Sequence, residues 1–364
     1  MYIENLALNH FRNYETAEIG FSKGINILYG DNAQGKTNVL EAIYMLATTK
    51  SHRGNHDKEI ISFGEDEGHI RGQIVRNDIS HRIDMHLRKQ KSKGIAVDMV
   101  PLRKSADLFG IMHIILFSPE DLSIIKNGPS DRRRFMDMEL CQLSRIYYSD
   151  LSGYNKVLYQ RNNLLKQISY NSKQLDTLPV WDMQLTEYGK KVIKEREKFI
   201  SLLNEILPDI HGKLTEGKEN LKVRYVKSAN PDTYETELDE KRDSDIRYQT
   251  TQIGPHRDDM EFVIDDMDVK KYGSQGQQRT VALSLKLAEI ELVRRTIDEE
   301  PVLLLDDVMS ELDAGRRDAL LASIKDTQTI ITCTGYDDFI KERLSVDRIY
   351  RVRSGTIDIE NALF

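Results

Sequence analysis

The chain is 364 residues long, enough for two or three domains or for one large domain carrying an insertion. Hydrophobic residues make up 39 % and charged residues 30 %, and 52 Lys and Arg stand against 59 Asp and Glu, a net charge of −7. That balance supports a real core. It speaks against a simple cationic nucleic-acid binder while leaving room for a local basic face. Cys141 and Cys333 are the only cysteines, which suits a reducing compartment and makes a disulfide framework or zinc ribbon a poor reading. The opening MYIENLALNHFRNYE lacks a basic-then-apolar leader pattern, and no apolar run approaches the ~20 residues of a membrane span. The expectation is a soluble cytoplasmic protein with no membrane partner.

Taken in chain order, Ile3–Leu8 alternates as a strand does, and Ile25–Tyr29 (INILY) is a short apolar run fit for a buried strand. A loop over Asp31–Lys36 leads to a helix over Thr37–Leu46, set by Val39, Ile43 and Leu46. Strands are predicted at Ile70–Val75, Ser80–Leu87, Ile95–Val97 and Ile111–Phe117. The texture then changes. Ser130–Ile168 reads as long, charged and helical, and Val180–Leu207 carries apolar residues at 3/4 spacing up to Pro208. Two such helices suggest an antiparallel pair. Asn230–Asp245 is acidic and turn-rich, an expected exposed connection. Strand text returns at Met260–Ile264, Val302–Asp307 and Thr329–Thr332. The order predicted is therefore α/β, helical insertion, α/β.

Three stretches carry chemistry. GDNAQGKT, Gly30–Thr37, fits G-x-x-x-x-G-K-[ST] between a strand and a helix. In that pattern the backbone of Gly30, Asp31, Asn32, Ala33, Gln34 and Gly35 wraps phosphates, Lys36 neutralises the β/γ-phosphates, and Thr37 offers its hydroxyl to Mg²⁺. VLLLDD is a buried strand ending in two carboxylates; Asp306 would hold the metal and Asp307 would orient or deprotonate an attacking water. In YGSQGQQRTVALSLKLAE, Ser274 and Gln277 have capping-box spacing ahead of Val281, Leu285, Ala288 and Leu292. Such a helix start is a natural anion site. SELD, Ser310–Asp313, reads alone as ordinary capping and gains meaning from the carboxylates before it.

Together these residues resemble, in order and type, the ABC-type ATPase heads of the SMC class, and more closely the RecF family of bacterial recombination mediators. The resemblance spans the chain through HFRNY (His10–Tyr14), GDNAQGKTNVLEAI, FSPEDL (Phe117–Leu122), GPSDRRRFMD (Gly128–Asp137), GPHRDD (Gly254–Asp259), GSQGQQRTVALSLKLAE and LLLDDVMSELD. It implies a P-loop ABC-type ATPase head with a helical lobe inserted between two halves of the sheet lobe. Residues 1–120 and 296–364 would form the ATPase lobe, and 121–295 the helical lobe with the signature run. It implies ATP and Mg²⁺ as cofactors, with Arg12 and Asn13 of HFRNY near the nucleotide and Lys36, Asp306 and Asp307 as the catalytic set. Ser274, Gly276 and Gln277 would cap the γ-phosphate held by a second copy, giving an ATP-dependent homodimer with two composite sites. The family further implies double-stranded and gapped DNA as partners, weak DNA-stimulated ATPase activity used as a switch, and cooperation with RecO and RecR in loading RecA.

Two departures bear on hydrolysis. ABC-type heads carry a lobe-junction Gln where this chain reads FSPEDL, leaving Ser118 or Glu120 as substitutes, and Thr332 and Thr334 stand where a terminal-strand His is usual. A slow switch fits better than a motor. From Arg71 to Lys104 nine basic residues face three acidic ones, and KQKSKG reads as a basic hairpin tip. Arg88, Lys89, Lys91 and Lys93 are the candidate DNA-phosphate contacts; a merely solvated hairpin is the alternative. Arg132, Arg133 and Arg134 read equally as a second basic cluster or as partners of Asp131, Asp137 and Glu139. For GPHRDD a Pro-set turn with local charge pairing is favoured over a metal cluster. An SMC-like head would need a far longer helical insertion, a transporter-type head should carry the missing Gln, and a small P-loop kinase needs neither SQGQQR nor SELD. A clamp that binds ATP without hydrolysing it stays open.

Overall fold

The computed structural model describes residues 1–54, 56–168, 170–335 and 345–360. The chain opens with a hairpin of β1 (Tyr2–Phe11) and β2 (Tyr14–Gly20), then β3 (Ile25–Tyr29) and α1 (Lys36–Thr48). β4 (Glu67–Arg76), β5 (Ile79–Arg88), β6 (Gly94–Val97) and β7 (Val100–Pro101) extend the hairpin into a six-stranded antiparallel sheet of order β2-β1-β4-β5-β6-β7. From Glu67 to Ile74 buried residues of β4 alternate with exposed or half-buried ones, the pattern of a sheet covered on one side. β8 (Ile114–Phe117) ends this part of the chain; only the last four residues of the predicted IMHIILF run are strand.

The middle of the chain, Leu122–Ser284, forms a compact unit of its own. It holds α2 (Leu122–Lys126), α3 (Pro129–Leu143), α4 (Arg145–Ile168) and α5 (Leu178–Leu214), the last two packed as a helical pair. β9 (Leu221–Val226), α6 (Tyr234–Glu240), α7 (Arg242–Tyr248), β10 (Asp259–Ile264), β11 (Met267–Asp268) and α8 (Val269–Tyr272) follow, with the strands in order β11-β10-β9.

Three sequence expectations are corrected in this unit. The helix predicted over Ser130–Ile168 is two helices broken at Ser144, whose backbone is extended (φ −141°) and whose Oγ accepts the N–H of Tyr147. A serine that caps the next helix out-competes continuation of the previous one. The helix predicted to end before Pro208 runs on to Leu214. Buried Ile206, Leu207 and His211 hold both sides of the proline, and Asn204 is pinned to β9 by two bonds of 2.8 Å with Val223. Tertiary packing offsets the ~3 kcal/mol cost of an interior proline. The acidic stretch read as an exposed connection is two short helices, with Tyr234, Leu238 and Asp245 buried.

α9 (Gln275–Ile297) carries the chain back to the first unit, which comprises Met1–Asp121 and Leu285–Phe364. There β12 (Val302–Asp306), α10 (Ala314–Ser323), β13 (Thr329–Cys333), β14 (Val346–Arg353) and β15 (Thr356–Glu360) complete a second six-stranded sheet of order β15-β14-β3-β13-β12-β8. All its neighbours pair in parallel except β14 with β15. β8 and β13 are buried throughout, and β3 and β12 are buried except at their last residue, as strands covered on both faces must be. α1 supplies Val39, Leu40, Ile43 and Leu46 to one apolar core shared with β1, β4 and β5 of the antiparallel sheet and with β12, β13 and β14 of the parallel one. Among the described residues no helix is long and apolar enough to cross a membrane.

Candidate nucleotide site

In an open parallel sheet, ligands meet the carboxyl ends of the strands, and β3, β13 and β12 lie side by side with those ends aligned. Leu28 of β3 pairs with Thr332 of β13, which pairs with Asp306 of β12. This register brings together residues far apart in sequence. Thr37, on the first turn of α1, donates its hydroxyl to Asp306 Oδ1 at 2.8 Å across 269 residues. Thr332 donates to the same carboxylate oxygen at 2.8 Å and accepts the Asp307 N–H at 3.0 Å. Asp307 itself sits in the left-handed region, φ +54°, and Ser310 of SELD donates to its carbonyl at 2.8 Å.

The P-loop leaves β3 at Gly30 and enters α1 at Gly35, with Asp31, Asn32 and Ala33 exposed along the way. Gly30 has φ +153° and lies so close to Val352 of β14 that a Cβ would strike its carbonyl. Lys36 is buried and donates to the carbonyls of Gly30 and Asp31 at 2.6 and 2.7 Å. Burial lowers its pKa against the opposing pull of Asp307, Cys333, Asp306 and Asp31. A hydroxyl and a carboxylate in contact at the end of a strand form a hard oxygen donor pair, so Thr37 and Asp306 fit Mg²⁺.

The residues of HFRNY hold the loop from behind. Tyr14 donates to Gly35 O at 3.0 Å, and Asn13 donates to Gln34 O at 2.8 Å while accepting from Asn38. Arg12 is committed to Glu41 through a two-pronged ion pair, with Glu59 O as third partner. Glu41 is fully buried; hydrogen bonds from Arg12 and Ser51 overcome its desolvation and keep its pKa below the usual carboxylate value. The β14–β15 turn adds the Ser354 N–H, which donates to Gln34 Oε1 at 2.7 Å, and the Gly355 N–H, which donates to Gln34 O at 3.2 Å. Thr332, Tyr14 and the Ser354–Gly355 turn were not among the sequence-predicted site residues. Tyr14 lies in HFRNY and Thr332 in the strand noted for lacking a terminal His, and nothing local marked the third.

In the helical unit Ser274 and Gln277 form the predicted reciprocal capping box. The Ser274 N–H donates to Gln277 Oε1 at 2.9 Å and the Gln277 N–H to Ser274 Oγ at 3.2 Å. Ser274 and Gly276 are exposed. Gln277 is further held by Glu219 at 3.0 Å, and Glu219 by buried His211, which also meets Ser284 Oγ at 2.8 Å. Asp313 of SELD caps α10 by accepting the Arg316 N–H. In FSPEDL, Ser118 N–H bonds to Asp121 Oδ2, Glu120 points to solvent, and burial raises the Asp121 pKa to about 6.

The candidate DNA contacts differ among themselves. Lys91 is exposed, Lys89 lies 3.9 Å from Asp66, and Arg88 donates to Ser92 O. Lys93 points inward to Asp57 at 3.0 Å and to Thr49 O. Arg132 takes the ion-pair alternative, though with another partner than predicted, and Arg133 bonds to a backbone carbonyl. Arg132 is buried and pairs with Asp259, and Arg133 donates to Asp258 O. GPHRDD is a buried junction: Arg196 gathers Pro255 O, Asp258, Asp137 and Tyr147, while His256 lies between Tyr154 and Thr251 O.

Residues 2–358 match the family described as RecF/RecN/SMC N terminal domain. The chain is 56 % identical over 359 residues to the DNA replication and repair protein RecF of Agathobacter rectalis, covering 99 % of both chains. It is 43 % identical over 362 residues to that of Clostridium perfringens, covering 98 % of this chain and 99 % of the other. Its fold matches a structure of the recombination mediator RecF with ATP in the RecFOR pathway (TM-score 0.93, 35 % identity, 99 % and 98 % of the two chains). It also matches an SMC head from Pyrococcus furiosus (TM-score 0.58, 17 % identity, 99 % and 96 %), which speaks to fold alone. With the sheet order, the P-loop and the aspartate strand in place, the chain belongs to the RecF family of DNA replication and repair proteins and has the ATPase-head fold of the RecF/RecN/SMC group.

Proposed function

We propose that this protein is an ATP-gated DNA clamp of recombinational repair and replication-fork maintenance, dimeric with ATP and released by slow hydrolysis. The observation that carries the reading is the 2.8 Å contact between Thr37 and Asp306, which joins the P-loop helix to the aspartate strand. When bound there, Mg²⁺ would supply charge neutralisation between the β- and γ-phosphates. The chain's own residues do the rest. Backbone N–H groups of residues 30–37 cradle phosphate oxygens, and Lys36 exchanges its loop carbonyls for them. Thr332 holds the Asp306 carboxylate in orientation, and Asp307 stands beyond it as the group that orients or deprotonates water.

Ser274, Gly276 and Gln277 are the proposed trans contacts, capping a γ-phosphate on a second copy through an exposed helix start. ATP then binds the dimer better than the monomer and stabilises it by linkage. Duplex DNA near single-strand gaps is the proposed nucleic acid, with Arg88, Lys89 and Lys91 as phosphate contacts and Lys93 as a support of the hairpin. The same reading includes cooperation with RecO and RecR in loading RecA and a cytoplasmic location, supported by the family membership.

A clamp that never hydrolyses ATP is the second reading, favoured by FSPEDL, which brings no Gln, and by Thr332 in place of a His. Sedimentation velocity without nucleotide, with ADP and with ATP–Mg²⁺, each with and without a short duplex, tests the main reading. A dimer formed only with ATP and favoured by DNA is expected, and Lys36→Ala should abolish it together with nucleotide binding. A monomer under all conditions would overturn the clamp.

A further inference from the structure

The exposed face of the antiparallel sheet carries a side-chain cluster that the nucleotide site does not use. His69 of β4 lies directly opposite His86 of β5, and Glu67 precedes His69 by two residues on the same face. The two imidazoles are stacked, with centroids 4.1 Å apart and planes 18° apart. Glu67 Oε2 meets His86 Nε2 at 2.8 Å, and one ligand atom from each of the three residues lies within 4.8 Å of the others. Among the described residues no hydrogen bond involves the His69 ring. In register the pair is flanked by Asn9 on one side and Gly94 on the other, and it borders a cleft of about 430 Å³. Of the nearby cations, Arg71 and Arg82 share the one carboxylate of Asp84, and Arg88, directly opposite Glu67, donates to Ser92 O.

We infer that Glu67, His69 and His86 form a surface site for a borderline transition-metal cation of the zinc class. Two imidazoles and one carboxylate are the donor set that zinc takes at three-residue sites, leaving a further position for water or another oxygen ligand. Magnesium, a hard cation that selects oxygen donors, is a poor match, so the site is chemically distinct from the Thr37–Asp306 pair. Closing on an ion needs the three ligand atoms to draw together, a rotamer-scale movement open to side chains at the surface.

The test is calorimetric titration of the untagged full-length chain with zinc chloride in a non-chelating buffer, with cobalt(II) absorption as a second readout. One zinc per chain is expected, undisturbed by excess magnesium. His69→Ala and His86→Ala should each weaken binding by at least about tenfold, and Glu67→Gln should weaken it less. Circular dichroism melts of each variant separate ligand loss from unfolding. Absence of stoichiometric zinc in the wild-type chain, or equal affinity in the doubly substituted His69→Ala, His86→Ala chain, would overturn the inference.

Discussion

At the scale of single residues, the most consequential side chains outside the nucleotide site are buried charges that find partners from distant parts of the chain. Arg196 is fully enclosed and meets Asp258 at 3.0 Å and Asp137 at 2.8 Å, while Arg161 meets Asp182 and Asp245, each at 2.7 Å. Removing Asp258 leaves buried Arg196 one carboxylate short and takes the acceptor from the Tyr225 hydroxyl and the Ser228 N–H. Asp258→Ala should therefore destabilise the protein by about 3–5 kcal/mol, read from the urea midpoint at unchanged slope. His256 makes a second residue-scale prediction. Burial pushes its pKa down to about 4, partly opposed by its bond to Thr251 O. The ring is neutral, its Nε2–H donating to that carbonyl and its Nδ1 accepting from Tyr154. The unfolded chain takes up the proton near pH ~6.5, the folded one only near 4, so between these values the unfolded state binds more protons. The contribution is fully present above about pH 6.5 and is lost as pH falls toward about 4, by up to about 3 kcal/mol. Melts from about pH 7 to about pH 4.5 should fall more steeply in the wild type than in His256→Gln; parallel curves would remove His256 as the cause.

At the scale of elements, the P-loop is shaped as much by a hairpin as by its own glycines. Gly355, at φ +80°, brings the β14–β15 turn so close to Asn13 O that a Cβ could not fit. Val352 presses on Gly30 and Ser354 bonds to Gln34. Gly355→Ala forces an L-residue into the left-handed region, about 1–2 kcal/mol by itself, and pushes the turn off the loop. Nucleotide affinity measured with a fluorescent analogue should fall about tenfold while the fold survives. An unchanged affinity would mean that Tyr14 and Asn13 brace the loop without the hairpin. The element-level lesson from Ser144 and Pro208 is the same in both directions. A capping serine ended one helix where periodicity ran on, and buried side chains carried another through a proline.

At the scale of the whole molecule, the predictions concern assembly. Ser274→Arg keeps the P-loop intact and places a bulky charge at the exposed helix start. ATP binding by the monomer should survive and ATP-dependent dimerisation should fail in sedimentation velocity. Asp307→Asn separates the slow switch from the inert clamp. If hydrolysis releases the dimer, the variant should stay dimeric long after ATP–Mg²⁺ is added, whereas an inert clamp would show no difference between variant and wild type.

The sequence by itself determined the P-loop, the aspartate strand, the capping box and the α/β–helical–α/β order, because each is written in contiguous residues whose spacing matches a backbone period or a phosphate-binding turn. Tyr14 and Thr332 stood in recognised phrases without a role, since their partners, Gly35 O of the P-loop and the Asp306 carboxylate of β12, lie far away in sequence. The fate of GPHRDD, the inward turn of Lys93, the pressure of the hairpin on Gln34 and the facing pair His69 and His86 were decided only by tertiary structure. Each depends on sheet register or on a buried counter-charge tens to hundreds of residues away, and a one-residue change of register would turn His69 and His86 to the other face.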